Sequence, residues 1–173
     1  MNDKAIGIFD SGLGGLTVLA AIHQLLPKEK FIYLQDRGHF PYGNKSERQI
    51  ILYSLAAAHK LLEHGVKAMV VACHTASAYA TRAIKEEVDL PIIDMVAPSL
   101  AWANELSGST AVLATESTVA SGIYSRFTCV PCPTLASLIE RGQGQSRPPN
   151  KNLVAQVELA READNVLLGC THY

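Results

Sequence analysis

The sequence predicts an α/β fold of doubly wound parallel sheets, and three observations carry that prediction. Short apolar runs alternate along the 173 residues with longer segments of helical period. Polar and glycine-containing turns follow directly on several of those runs, where an open parallel sheet holds its ligands. The composition, 48% hydrophobic and 18% charged, is that of a folded globular chain rather than a disordered one.

In chain order, the strand candidates are residues 5–9, 31–34, 68–72, 91–94, 110–114 and 165–168, each a run of apolar and β-branched residues of strand length. Helices are expected over 15–26, 76–88, 97–106, 117–127, 135–141 and 153–163. A further helix, with the fullest set of start and stop signals, lies between the second and third strands. Ser46 to Gln49 form a capping box, Ile50, Leu55, Ala58, Leu61 and Leu62 recur at helical spacing, and Gly65 supplies a stop. A break near residues 94–99 divides the chain into a first α/β lobe, 1–95, with the Asp10 and Cys73 turns, and a second, 96–173, ending in the Cys170 turn. Residues 142–150, rich in Gly, Gln and Pro without apolar period, read as a mobile loop.

Several function classes are disfavoured at once. Fifteen basic against sixteen acidic side chains leave no general attraction to nucleic acid or acidic membranes. No apolar run approaches the roughly 20 residues that span a bilayer. The N-terminus lacks the basic start, apolar core and cleavage site of a leader, so a cytoplasmic location is expected, with the four cysteines as free thiols.

The turns after the strands hold the chemistry. Asp10-Ser11-Gly12-Leu13-Gly14-Gly15 matches neither the dinucleotide fingerprint nor the lysine-containing phosphate loop, which disfavours a nucleotide. Its N–H groups could hold a carboxylate, with Asp10 placed to orient or exchange a proton. Cys73 stands where a strand gives way to a helix, a position expected to lower a thiol pKa. Cys170 is its counterpart after the last strand. Two thiols flanking one small substrate suit a reaction that removes a proton α to a carboxylate on one side and returns one on the other. Ser11, Thr75 and Thr171 would supply donors to the carboxylate. Cys129 and Cys132 have the spacing of a metal or redox pair, but no second pair of ligands accompanies them and they read as structural.

These motifs resemble the aspartate/glutamate racemase family, and within it glutamate racemase. The likeness rests on residues 8–18, Pro41-Tyr42-Gly43, Ala72-Cys73-His74-Thr75-Ala76, Thr115-Glu116-Ser117-Thr118 with Ser121-Gly122, and residues 168–173. The resemblance implies cofactor-independent interconversion of L- and D-glutamate for peptidoglycan synthesis. Cys73 and Cys170 would be the two bases, with Asp10 and His172 assisting proton transfer. It places Ser11, Pro41, Tyr42, Gly43, His74, Thr75, Thr115, Thr118, Glu140 and Thr171 at the substrate, the active site between two lobes, and neither metal nor pyridoxal phosphate in it.

The chain departs from the family pattern at three places. His74 stands where an Asn is usual, and Ala114 and Ser117 replace glycines. Family members also continue past the second cysteine block with elements that return to the first lobe. The reading therefore expects an exposed sheet edge and apolar face that a homodimer would cover, and weak or absent activity. Two other readings follow: a truncated, non-catalytic glutamate-binding or interaction chain, and a racemase for aspartate or another acidic amino acid.

Overall fold

The structure, a computed structural model, describes residues 3–143 and 151–173, so most of the loop expected over 142–150 lies outside the described residues. Among the described residues, helices and strands alternate in the order β1 (Ile6–Asp10), α1 (Leu16–Leu25), β2 (Phe31–Gln35), α2 (Glu47–Glu63), β3 (Ala68–Val71), α3 (His74–Glu87), β4 (Ile92–Asp94), α4 (Val96–Glu105), β5 (Thr110–Ala114), α5 (Glu116–Ala120), β6 (Thr128–Pro131), α6 (Leu135–Glu140), α7 (Lys151–Ala160) and β7 (Asn165–Gly169). A short 3-10 turn spans Tyr42–Asn44.

The strands form two parallel sheets, ordered β2-β1-β3-β4 and β6-β5-β7. In the first, the chain leaves β1 for one neighbour and later returns to place β3 on the other side. In the second, β6 and β7 flank β5 in the same manner. Each sheet thus has a switch point, between β1 and β3 and between β5 and β7, where diverging connections open a crevice at the carboxyl ends.

Burial explains why the helices lie where they do. On one face of the first sheet, Phe9, Met69 and Val71 pack with Ile50, Ala57, Ala58 and Leu61 of α2 and with Ala76, Ala80 and Ile84 of α3. On the other, Val18, Leu19 and Ile22 of α1 lie over Ile8, Val70 and Ala72. The second sheet packs Val112 and Leu167 against Ala103 and Tyr124, and Ala111, Leu113 and Val130 against Ala160. α2 begins at the expected box: Gln49 N donates to Ser46 Oγ, and Ser46 N donates to the Gln49 side chain. It ends where Gly65, at φ +68°, adopts a conformation that strains other residues.

Two elements differ from the sequence reading. Residues 128–131 form strand β6, where the sequence predicts no strand, since a four-residue run ending in proline carries little period. Pro131 is tolerated because β6 is an edge strand and Pro131 its last residue. The helix expected over 117–127 stops at Ala120, since Gly122 turns the chain at φ +73° and the following residues deliver Tyr124 and Phe127 to the core. Apolar side chains are exposed on the outer strands, Ile93 on β4 and Val166 and Leu168 on β7.

Candidate active site

The carboxyl ends of β1, β3, β5 and β7 converge on one small cavity of ≈ 20 Å³, room for about one water. Its walls are Ser11, Phe40, Pro41, Tyr42, Gly43, Cys73, His74, Thr75, Thr115, Ala136, Cys170, Thr171 and His172. An open groove of ≈ 610 Å³ beside α1, lined by Leu16, Leu19, His23, Glu29 and Phe31 among others, contains none of these residues.

Small residues allow this convergence. A Cβ on Gly14 would lie 2.6 Å from Thr171 Oγ1 and 2.7 Å from the Thr171 carbonyl carbon, and one on Gly12 would lie 2.7 Å from His172 Nε2. The loop after β1 therefore sits directly on the turn after β7. Gly43 makes the same approach to Thr115, where an added Cβ would be 2.5 Å from the Thr115 Cβ. Ser117 Oγ fastens that contact by donating to the carbonyl oxygens of Gly43 and Lys45.

Asp10, the last residue of β1, is fully buried behind the wall. One carboxylate oxygen accepts from Gly12 N at 2.9 Å and the other from Thr171 Oγ1 at 3.2 Å. Burial pushes its pKa up to about 6, opposed in part by the Gly12 N–H and by His172. Cys73 caps α3, with its Sγ 3.6 Å from Ser11 Oγ. Its thiol is pushed up to about 11 by burial and then by the Asp10 carboxylate. This overturns the expectation that the helix N-terminus lowers it: loss of solvation outweighs the N–H groups of the first turn.

Cys170 follows β7, and burial raises its thiol as well, with Cys73 and Asp10 adding to the effect. Its Sγ lies 3.9 Å from His172 Nδ1. The other ring nitrogen, Nε2, meets Glu140 Oε2 at 2.5 Å. A carboxylate accepts only, so Nε2 carries hydrogen, and Nδ1 of a singly protonated ring, which also lies 3.4 Å from Thr171 Oγ1, is an acceptor open to the Cys170 thiol. Glu140 is itself held by Leu13 N at 3.0 Å and Gln35 Nε2 at 3.1 Å. The resulting chain of carboxylate, imidazole and thiol follows the logic by which a third group orients a base toward its proton donor.

The hydroxyls of Thr75, Thr115 and Thr118 form a buried triangle with sides of 2.9, 3.0 and 2.9 Å, linking α3 to the turn after β5. Of the residues singled out in the sequence, Asp10, Thr118 and Glu140 stand one layer behind the wall and the others line the cavity. Tyr42 presents its ring, since its hydroxyl donates to Asp36 Oδ2 at 2.7 Å. Sequence reasoning did not single out Phe40, which lies against His172 with ring centroids 5.5 Å apart, or Ser99, which meets His74. Neither carries a motif that would have marked it. Among the described residues no group of three or more His, Cys, Asp and Glu is placed to hold a metal. Cys129 and Cys132 lie at β6, their thiols donating to the carbonyl oxygens of Tyr124 and Val130.

Comparison with known proteins places this geometry. The chain is 38% identical over 182 residues to a glutamate racemase of Persephonella marina, covering 98% of this chain and 70% of the relative. Among solved structures, it is similar to the glutamate racemase of Francisella tularensis in complex with D-glutamate, with TM-score 0.87 and 29% identity over 100% of this chain and 70% of that one. It is also similar to the Thermus thermophilus glutamate racemase, with TM-score 0.81 and 35% identity over 99% of this chain and 68% of that one. Residues 6–173 match the family described as Asp/Glu/Hydantoin racemase, and the chain belongs to that family.

Proposed function

We propose that the chain is a cofactor-independent glutamate racemase that supplies D-glutamate for peptidoglycan synthesis. The observation that carries this reading is the presence of two thiols, Cys73 after β3 and Cys170 after β7, on the walls of one cavity between the two sheets. In one direction the Cα–H bond breaks as a thiolate takes the proton, and its electron pair moves into the α-carboxylate. The second thiol then gives its proton to the other face of the carbon, and the reverse direction exchanges the two roles. No electron is gained or lost.

Both thiols are held protonated by burial, so each needs a group that receives its proton. Asp10 is assigned to Cys73 and His172, oriented by Glu140, to Cys170. Ser11, Thr75, Thr115 and Thr171, with Thr118 behind them, would hold the substrate's carboxylates and ammonium, while Pro41, Tyr42, Gly43 and His74 complete the wall. Fixed donors in a dry site stabilise the enolate-like charge as it develops. Relatives 34–38% identical over nearly the whole chain are glutamate racemases, which supports glutamate over aspartate.

On this reading the sheets belong to lobes 1–95 and 96–173, with the site between them. Free thiols at all four cysteines fit a cytoplasmic setting. Exposed Ile93, Val166 and Leu168 offer apolar area to a homodimer, which sedimentation equilibrium distinguishes from a monomer. Circular dichroism of either glutamate enantiomer incubated with the protein tests the activity. Loss of optical rotation is expected with the wild type and its absence with Cys73→Ala or Cys170→Ala. A variant that still racemises would remove the two-thiol assignment.

A further inference from the structure

We propose that Gln35 is a positioning residue on the Cys170 side: it decides which oxygen of Glu140 faces His172, and so keeps the ring nitrogen beside the thiol open as an acceptor. The inference rests on the racemase reading and deepens it.

Glu140 ends α6, and the two oxygens of its carboxylate are chemically alike. Leu13 N does not tell them apart, lying 3.2 Å from Oε1 and 3.0 Å from Oε2. Gln35 does: its Nε2 donates to Oε1 at 3.1 Å, which leaves Oε2 to His172 Nε2 at 2.5 Å. A carboxylate accepts only, so the amide nitrogen of Gln35 must be the atom that faces it. The last torsion of a glutamate is broad and roughly two-fold, so its own covalent structure does not hold this orientation. With the Glu140 side chain 15% exposed and that of His172 4%, little water reaches the pair to replace a lost donor.

Gln35 is itself fixed. It is the last residue of β2, in register with Asp10 of β1, and the next residue, Asp36, donates its N–H to the Asp10 carbonyl oxygen at 3.0 Å. Alternation along the strand sets Tyr33 on the same face as Gln35. The Tyr33 hydroxyl donates to the Gly12 carbonyl oxygen at 2.7 Å and steadies the peptide unit that carries Leu13 N. β2 thus supports both donors to Glu140 from the first sheet, while Glu140 and His172 come from the part of the chain that builds the second. Gln35 is not a wall of the cavity. Its effect passes through Glu140 to His172, and from Nδ1 to Cys170 Sγ at 3.9 Å.

Gln35→Met, which keeps the length of the side chain and removes the donor, tests the assignment in the full chain. Racemisation of either enantiomer should lose about tenfold in kcat, with KM within about twofold of wild type. In a Glu140→Ala background the same substitution should change kcat by less than about twofold, because a residue that acts only through the carboxylate has nothing left to orient. Nitrogen-15 NMR of His172, recorded where the ring carries one hydrogen, should place that hydrogen on Nε2 in the wild type and share it between Nε2 and Nδ1 in Gln35→Met. A wild-type kcat, a loss confined to KM, a tenfold loss in both backgrounds, or an unchanged His172 ring would overturn the assignment and leave the racemase reading in place. A wild type that does not racemise glutamate would overturn both.

Discussion

Asp10 carries its charge where burial resists it, and two measurements follow. Its native pKa of about 6 lies above the ordinary 3.8, so the folded state holds the proton more tightly than the unfolded chain. Its contribution to stability is complete below about pH 4 and is lost as pH rises through about 6. In Asp10→Asn that loss disappears. Stability of the variant relative to wild type should therefore increase by about 3 kcal/mol between about pH 4 and pH 7, at roughly 1.4 kcal/mol per pKa unit. Urea unfolding at both pH values checks this, and a constant difference contradicts the buried charge. If ionised Asp10 receives the Cys73 proton, kcat/KM should rise through an acid limb near pH 6 that Asp10→Asn lacks.

On the other thiol's side, Glu140→Gln replaces an acceptor with an amide that can donate to His172 Nε2 and drive hydrogen onto Nδ1. Racemisation should fall about a hundredfold, with D-glutamate affinity nearly retained; an unaffected rate would remove the orienting role. Asp10 and both cysteines were legible in the sequence because reactive side chains followed predicted strands. Glu140 was placed at the substrate only by resemblance, and its work of holding His172 was not legible. Its partners Leu13, Gln35 and His172 are 127, 105 and 32 residues away, and no spacing marks such contacts.

Among the elements, the turn after β1 packs directly on the turn after β7 and so couples the two sheets. Gly14→Ala would place a methyl group 2.7 Å from backbone of Thr171, which cannot rotate aside as a side chain could. The variant should lose about 1–3 kcal/mol in denaturant unfolding and most of its racemase activity, because the Cys170 turn must move to relieve the overlap. Wild-type stability in the variant would mean the turns are not in close contact. The capping box of α2 and the apolar strands set most of the alternation by local chemistry, and those were read within one or two residues. β6 and the end of α5 were not. A four-residue edge strand ending in proline has little period to read, and the stop of α5 depends on Tyr124 and Phe127 finding the core of the second sheet.

For the whole molecule, two parallel sheets each reverse their winding at one point, and the two crevices face a single cavity. Sequence pattern indicated the strands and the residues at their ends. It did not give the distance between the two cysteine turns, because that distance depends on contacts at Gly12, Gly14 and Gly43 across the interface. A cavity of ≈ 20 Å³ is far below the few hundred Å³ of a typical ligand site, so its walls must rearrange to admit an amino acid. Proton NMR of L-glutamate and of D-glutamate incubated with the protein in heavy water tests this account most directly. Loss of the α-proton signal is expected from either enantiomer as deuterium replaces it, with the opposite enantiomer appearing in the same samples by chiral chromatography, and no racemisation is expected with Cys73→Ala or Cys170→Ala. Glutamate that binds yet keeps its α-proton at high protein concentration would contradict it.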